Sequence, residues 1–109
     1  MNRVSNINVI KTMLIKNPVE DVAAKKMFRV ALNKSHATLI YNKINPNTYD
    51  LIHTFIPKRY QGTGLGSIFA FKIFDYLIEK NLKYKLTCEF LIKICDKTKG
   101  KYELNRIKD

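Results

Sequence analysis

Three glycines alternate with other residues in the segment Gln61-Gly62-Thr63-Gly64-Leu65-Gly66, which lies between a predicted strand and a predicted helix. The first backbone N–H groups of a helix have no partner within the helix, and the helix dipole adds partial positive charge there. Glycine lets an anion approach these groups because no side chain obstructs it. The segment therefore predicts a cradle for a diphosphate. A turn that only permits tight packing of strand against helix is the alternative.

Two other phosphate-binding motifs fit this segment less well. The P-loop requires a Gly-Lys-Ser/Thr ending, whereas Gly66 is followed directly by Ser67. The dinucleotide fingerprint requires a further glycine at the position that Phe69 occupies. Neither an ATP-type nor a nicotinamide-type site is predicted.

Two residues, one on either side of this turn and its helix, have side chains that could take part in chemistry. His53 lies on the strand before the turn, and Cys88 follows the helix after it. An imidazole changes charge near neutrality, at about pH 6.5, which suits a general base. A cysteine between a strand and a helix can be reactive. Each residue also has a structural interpretation: His53 as a half-buried histidine bonded within the sheet, and Cys88 as a small buried hydrophobic residue.

The elements that would position these groups follow from the hydrophobic pattern. Apolar residues alternate from Met27, which predicts a strand, and Asn33-Lys34-Ser35 has the composition of a turn. The return strand runs from His36 to Tyr41. A third strand runs from Tyr49 to Ile56 and ends because Pro57 cannot donate to the ladder.

After the glycine segment, apolar residues recur at three- and four-residue steps, which predicts a buried helix over 65–80. A strand over 84–88 and a short amphipathic helix that includes Phe90 and Cys95 follow. We expect a helical turn in the last eight residues. This order predicts one mixed sheet with helices packed on it.

The first 26 residues give the weakest pattern. Residues 9–15 fit either a strand or a helical turn, and residues 18–24 resemble the start of a helix, with proline early and acidic residues in its first turn. We therefore divide the chain into an N-terminal segment of unclear structure, 1–26, and a domain at 27–109.

Composition restricts the class of protein. A chain of 109 residues with 46% hydrophobic residues predicts a single folded domain. The formal net charge of +11 is spread along the chain, so it indicates a lysine-rich surface more than a nucleic-acid site. Two cysteines form neither a disulfide framework nor a zinc pattern, and no signal peptide or membrane-spanning run is evident. We expect a cytoplasmic protein, or a nuclear one, with no metal site.

The motif Gln61-x-x-Gly64-x-Gly66 resembles the acetyl-coenzyme A pyrophosphate motif of the GNAT superfamily of N-acetyltransferases. The segments 53–57 (His-Thr-Phe-Ile-Pro) and 87–90 (Thr-Cys-Glu-Phe) resemble the short single-domain members, and the similarity covers about residues 27–104. Gln61 stands where the short proteins usually have Arg, and Glu89 stands where they often have Ser.

The resemblance implies an α/β fold with a mixed, mostly antiparallel sheet flanked by helices in one small domain. It implies transfer of an acetyl group from acetyl-coenzyme A to an amine. The sequence leaves open whether the acceptor is a small amine, a polyamine or a protein lysine, and whether the protein is a monomer or a homodimer. His53 would be the general base, and Cys88 would protonate the thiolate, position the substrate or carry the acetyl group. The residues implied in cofactor binding are Phe55, Ile56, Gln61, Gly62, Thr63, Gly64, Leu65, Gly66, Ser67 and Phe90.

Two other functions stay open at this point. A protein of this fold could bind the cofactor without catalysing a reaction. The positive charge alone would also fit a nucleic-acid-binding domain, which we rank last because no clustered basic stripe accompanies it.

Overall fold

The computed structural model describes residues 3–108, with side-chain burial from residue 7. These residues form three helices and six strands, and short 3-10 turns lie at Ala23–Lys25 and Lys58–Tyr60. In chain order the elements are α1 (Arg3–Lys16), β1 (Glu20–Val22), β2 (Met27–Ala31), β3 (His36–Asn45), β4 (Thr48–Phe55), α2 (Leu65–Glu79), β5 (Lys83–Leu86), α3 (Glu89–Lys97) and β6 (Arg106–Ile107).

The six strands form one sheet in the order β1-β2-β3-β4-β5-β6. The first three pairings are antiparallel, and β4–β5 and β5–β6 are parallel. Helix α2 connects β4 to β5, as a parallel pair requires a crossover. The predicted single small domain with a mixed, mostly antiparallel sheet and packed helices is confirmed.

One face of the sheet is buried and the other is open. Phe28, Leu39 and Leu51 are 0–1% exposed and share a hydrophobic core with residues from all three helices. On the opposite face Thr38 and Ile40 are only half-buried. No helix in residues 3–108 is long and apolar enough to cross a bilayer.

Residues before Met27 form regular structure that the sequence left undecided or predicted wrongly. Residues 9–15 belong to α1, which buries Ile10 and Leu14. The helix expected at 18–24 is absent, because Glu20–Val22 pairs with β2 as an edge strand. Lys72 Nζ donates to the Ile15 carbonyl at 2.7 Å, and Asn17 Nδ2 donates to the Ala31 carbonyl at 2.7 Å, so hydrogen bonds to α2 and β2 fix the end of α1.

Other differences concern element ends. β3 continues to Asn45, beyond the predicted Tyr41. The helical turn expected in the last eight residues is wrong for its central part, where Arg106–Ile107 pairs with β5 as a parallel strand. Arg106 also bonds Asp96 of α3 at 3.2 Å, and this long-range contact outweighs the local preference.

Candidate functional site

The glycine segment forms the turn that leads into α2. Gly62 has φ +77° and Gly64 has φ +88°, a left-handed conformation that favours glycine, and Gly64 is the N-cap of the helix. As a glycine, this N-cap residue makes no side-chain hydrogen bond to the first helical N–H groups. Thr63 Oγ1 donates to the Tyr60 carbonyl at 2.5 Å and accepts from the Leu65 N–H at 3.4 Å. The turn therefore presents helix N–H groups to a bare, glycine-lined surface.

Gly66 serves a different purpose from the two turn glycines. A Cβ on Gly66 would lie 3.0 Å from Cζ of Phe90 and 3.6 Å from Cγ1 of Ile56. Glycine is favoured here because the Phe90 ring packs directly on the helix backbone and would have to shift for any larger residue. At Gly62 an added Cβ would meet nothing within 4 Å, so the space over the turn is open.

A cavity of about 360 Å³ lies beside this turn. Seven of the ten residues that the resemblance implies in cofactor binding line it, together with Thr54, which the sequence analysis did not single out. The lining residues are Thr54, Ile56, Gln61, Gly62, Gly64, Gly66, Ser67 and Phe90. A larger groove of about 790 Å³ lies between α2 and the end of α1, and it shares no lining residue with the cavity beside the turn.

Three of the implied cofactor residues lie elsewhere. Leu65 is fully buried in the core. Thr63 bonds within the turn, as described above. Phe55 is 51% exposed, and its ring contacts that of His53 with the centroids 4.4 Å apart. The side chains of these residues support the turn or face away from the cavity.

Gln61 connects the turn to the end of β4. Its Nε2 donates to the Ile56 carbonyl at 3.1 Å. The side chain that occupies the position of the usual arginine therefore spans the loop at Pro57–Tyr60, and it still lines the cavity. In this way Gln61 holds the strand end close to the glycine turn.

The sheet opens between β4 and β5 next to this cavity. Their pairing ends at Leu51–Leu86, and the Leu51 carbonyl accepts hydrogen bonds from the N–H groups of Thr87 at 3.1 Å and Cys88 at 3.0 Å. β4 continues to Phe55 while the other chain turns into α3. Residues 52–55 therefore have no partner in β5, which leaves a wedge-shaped opening between the strands.

A β-bulge lies at the start of this opening. Tyr41 pairs with Leu51 and Ile40 pairs with His53, so Ile52 is the extra residue in β4. Thr54, opposite the core residue Leu39, therefore faces the helices. His53 faces the open side of the sheet and is exposed, and it does not line the cavity.

Cys88 and Thr54 meet across the wedge. Cys88 is the N-cap residue of α3 and is 8% exposed, and its Sγ lies 3.6 Å from Thr54 Oγ1. The two-residue period of β4 is a signal that could have identified Thr54, because Ile56 was already assigned to the cavity side. A thiol held by a hydroxyl at the edge of a cavity can give or receive a proton there.

Cys95, unlike Cys88, makes no hydrogen bond to a described residue that lines the cavity. It is fully buried in α3. Burial, followed by the neighbouring Glu103 carboxylate, raises the pKa of its thiol, although Arg106 opposes this effect. Neither Cys95 nor Cys88 forms a disulfide. It acts as the buried hydrophobic residue that its place in the amphipathic pattern predicts.

Comparisons with known proteins agree with this arrangement. Residues 27–104 match the family model described as GCN5-related N-acetyltransferase. Protein NATD1 of Danio rerio is 31% identical over 109 residues and covers 98% of each chain. Protein NATD1 of Homo sapiens is 35% identical over 77 residues, which are 69% of this chain and 68% of that protein.

A solved structure shares the fold. The solution structure of a GCN5-like protein from Staphylococcus aureus has a TM-score of 0.57 and 18% identity, and it covers 84% of this chain and 89% of that one. The family match covers the turn, the wedge between β4 and β5, and Cys88 together. On these grounds the chain belongs to the GCN5-related N-acetyltransferase family.

Proposed function

We propose that this protein transfers the acetyl group of acetyl-coenzyme A to the nitrogen of an amine. The observation that carries the proposal is the cavity in which the glycine turn at the start of α2 opens beside the wedge between β4 and β5. The glycine turn and Thr54, whose hydroxyl contacts the Cys88 thiol, thereby share one site, and the family match supports the acyl donor.

The residues of the turn fit a diphosphate. The left-handed Gly62 and Gly64 place no side chain of their own above the turn, and the helix N-terminus favours negative charge. Ser67 contributes a hydroxyl to the same surface. Phe90 and Ile56 supply an apolar wall on which an uncharged arm of a ligand can lie.

In this proposal, residues on the two faces of the sheet carry out the two proton transfers of the reaction. Acetyl-coenzyme A supplies a thioester whose carbonyl carbon an uncharged amine attacks, and its thiolate leaves. Cys88 Sγ, oriented by Thr54, donates the proton that the departing thiolate takes up. His53 is exposed on the opposite face of the sheet, and in this proposal it removes the proton from an amine that arrives from that side.

Titration of the protein with acetyl-coenzyme A tests the first half of the proposal. A ligand at a hundred times its dissociation constant stabilises a protein by about 2.7 kcal/mol, so the melting temperature should rise clearly. Pantetheine, which lacks the phosphates, should give a much smaller rise. No shift with millimolar acetyl-coenzyme A would contradict cofactor binding.

Thiol release with a panel of amines tests the second half. His53→Ala and Cys88→Ala should each lower the rate about 100-fold, the lower end of the usual contribution of proton transfer. His36→Ala is the matched control, because His36 is also exposed on a strand and lies in the hairpin away from the wedge. Binding without thiol release from any amine would instead identify a cofactor-binding module.

A further inference from the structure

An ammonium group from the N-terminal helix lies beside the glycine turn. Lys11 belongs to α1, which precedes the residues that match the family model. Its Nζ is 3.9 Å from the point where a Cβ on Gly64 would stand. Apart from the adjacent Thr63 and Leu65, no other side chain in the described part of the chain comes within 4 Å of that point.

Packing determines where Lys11 lies. Ile10 and Leu14 on the same helix are 2% and 0% exposed, and both belong to the hydrophobic core. The bonds of Lys72 and Asn17 at the C-terminal end prevent α1 from shifting along the sheet. Lys11 itself is half-buried, so its stem lies along the protein and directs the ammonium to the turn.

This position is electrostatically unfavourable without an anion. The N-terminus of α2 carries partial positive charge, and a cation there is repelled. Within residues 3–108, Lys11 has no ion pair and no hydrogen bond that would offset the repulsion. A phosphoryl group bound at the turn would be attracted by both the helix N–H groups and the ammonium.

We infer that Lys11 is a phosphate-binding residue, and that α1 completes the cofactor site by supplying a positive charge to the phosphoryl group on the turn. The inference rests on the proposed function, under which that group belongs to the diphosphate of acetyl-coenzyme A. It assigns a ligand-binding role to the N-terminal segment, which the motif alone leaves without one.

Calorimetric titration of the full chain with coenzyme A, pantetheine and inorganic phosphate tests this role. Lys11→Met keeps most of the stem and removes the charge, and it should weaken coenzyme A binding about 10-fold. Lys11→Arg should restore binding to within about 3-fold, because it restores the charge. Lys16→Met on the same helix is the control and should leave the affinity unchanged. The loss in Lys11→Met should shrink at high salt, and pantetheine should bind all variants equally.

The outcomes separate the two proposals. Coenzyme A bound equally by the wild type and Lys11→Met, with unchanged melting temperatures, overturns the role of Lys11 and leaves the proposed function standing. Inorganic phosphate bound in a Lys11-dependent way without coenzyme A binding supports the phosphate site and overturns the acetyl transfer. If Lys11→Met does not fold, Lys11→Gln replaces it. A wild type that binds neither ligand overturns both.

Discussion

At the scale of single residues, the two glycines of the motif, Gly64 and Gly66, are favoured for different reasons. Gly64 adopts a left-handed conformation, and a Cβ there would be in ordinary contact with Lys11 Nζ at 3.9 Å. Gly66 has helical geometry but lies against the Phe90 ring. The same residue type therefore meets a backbone requirement at one position and a packing requirement at the other.

We predict that Gly64→Ala lowers the free energy of unfolding by about 1 kcal/mol, the cost of a left-handed conformation for an L-residue. Gly66→Ala should cost less, because the Phe90 ring is 38% exposed and can move outward. Gly66→Ala should nevertheless weaken cofactor binding, because the Phe90 ring that the methyl group displaces lines the cavity and would narrow it. Urea denaturation measures the first effect and calorimetry the second. Equal stability losses in the two variants would contradict this distinction.

Thr54 is a positioning residue for Cys88 under the proposed function. Loss of its hydrogen bond in Thr54→Val should lower kcat about 10-fold while the dissociation constant for acetyl-coenzyme A stays unchanged. Thr54→Ser keeps the hydroxyl and should retain most of the rate. Steady-state kinetics with both variants checks this, and a serine variant as slow as the valine variant would show that the methyl group matters instead.

At the scale of elements, β4 determines the site. The bulge at Ile52 changes the direction of the strand just where β5 ends its pairing. As a result Thr54 faces the cavity and His53 faces the opposite side of the sheet. α1 contributes to the phosphate-binding end of the site under the further inference, because it carries Lys11.

Adjacent residues of α1 provide a test of how firmly this helix is packed. Leu14 is fully buried and Ile15 is 62% exposed. Leu14→Ala should lower the free energy of unfolding by about 2–5 kcal/mol, the usual cost of a truncated core leucine. Ile15→Ala should change it by less than about 0.5 kcal/mol. Denaturant titration gives both values, and similar small changes would mean that α1 adds little to the fold.

At the scale of the whole molecule, charge and buried tyrosines determine how the protein responds to its solution. The net charge of +11 attracts anionic ligands in general. Tyr41 donates to Asp21 Oδ1 at 2.6 Å and Tyr84 donates to the Tyr102 carbonyl at 2.7 Å, so both hydroxyls must be protonated in the fold. Burial raises the pKa of Tyr102 to about 12 and raises the pKa values of Tyr41 and Tyr84 as well.

These shifts predict a loss of stability at alkaline pH. Tyrosines in the unfolded chain titrate near pH 10, below their folded values, so the unfolded state loses protons first as the pH rises. The stabilisation is complete below about pH 10 and should fall by about 1 kcal/mol per buried tyrosine at pH 11. Urea denaturation across this range and tyrosinate absorbance measure it. Tyr41→Phe should reduce the slope, and titration of all six tyrosines near pH 10 in the folded protein would contradict it.

The elements of the core could largely be predicted from the sequence, because their patterns are local. Alternation marks β2, and the three- and four-residue period marks α2. β1 and β6 could not be predicted, since both are short and exist only through pairing with β2 and β5. α1 was ambiguous because its apolar residues fit both the period of a strand and that of a helix. Burial of Ile10 and Leu14 in the core favours the helix.

The candidate site divides in the same way. The glycine turn and the strand before it follow from residue types and spacing along the chain, and these suffice to indicate a phosphate cradle. The resemblance to the family was needed to place Cys88 near it. Which strand residue faces the cavity depends on the bulge at Ile52, and the position of Lys11 beside Gly64 depends on contacts across 53 residues of chain. Alternation counted from Ile56 favours Thr54 as the cavity residue and alternation counted from Leu51 favours His53, so the tertiary structure decided between them. It alone decided that Lys11 adjoins the site, because such contacts form only when distant segments share one core.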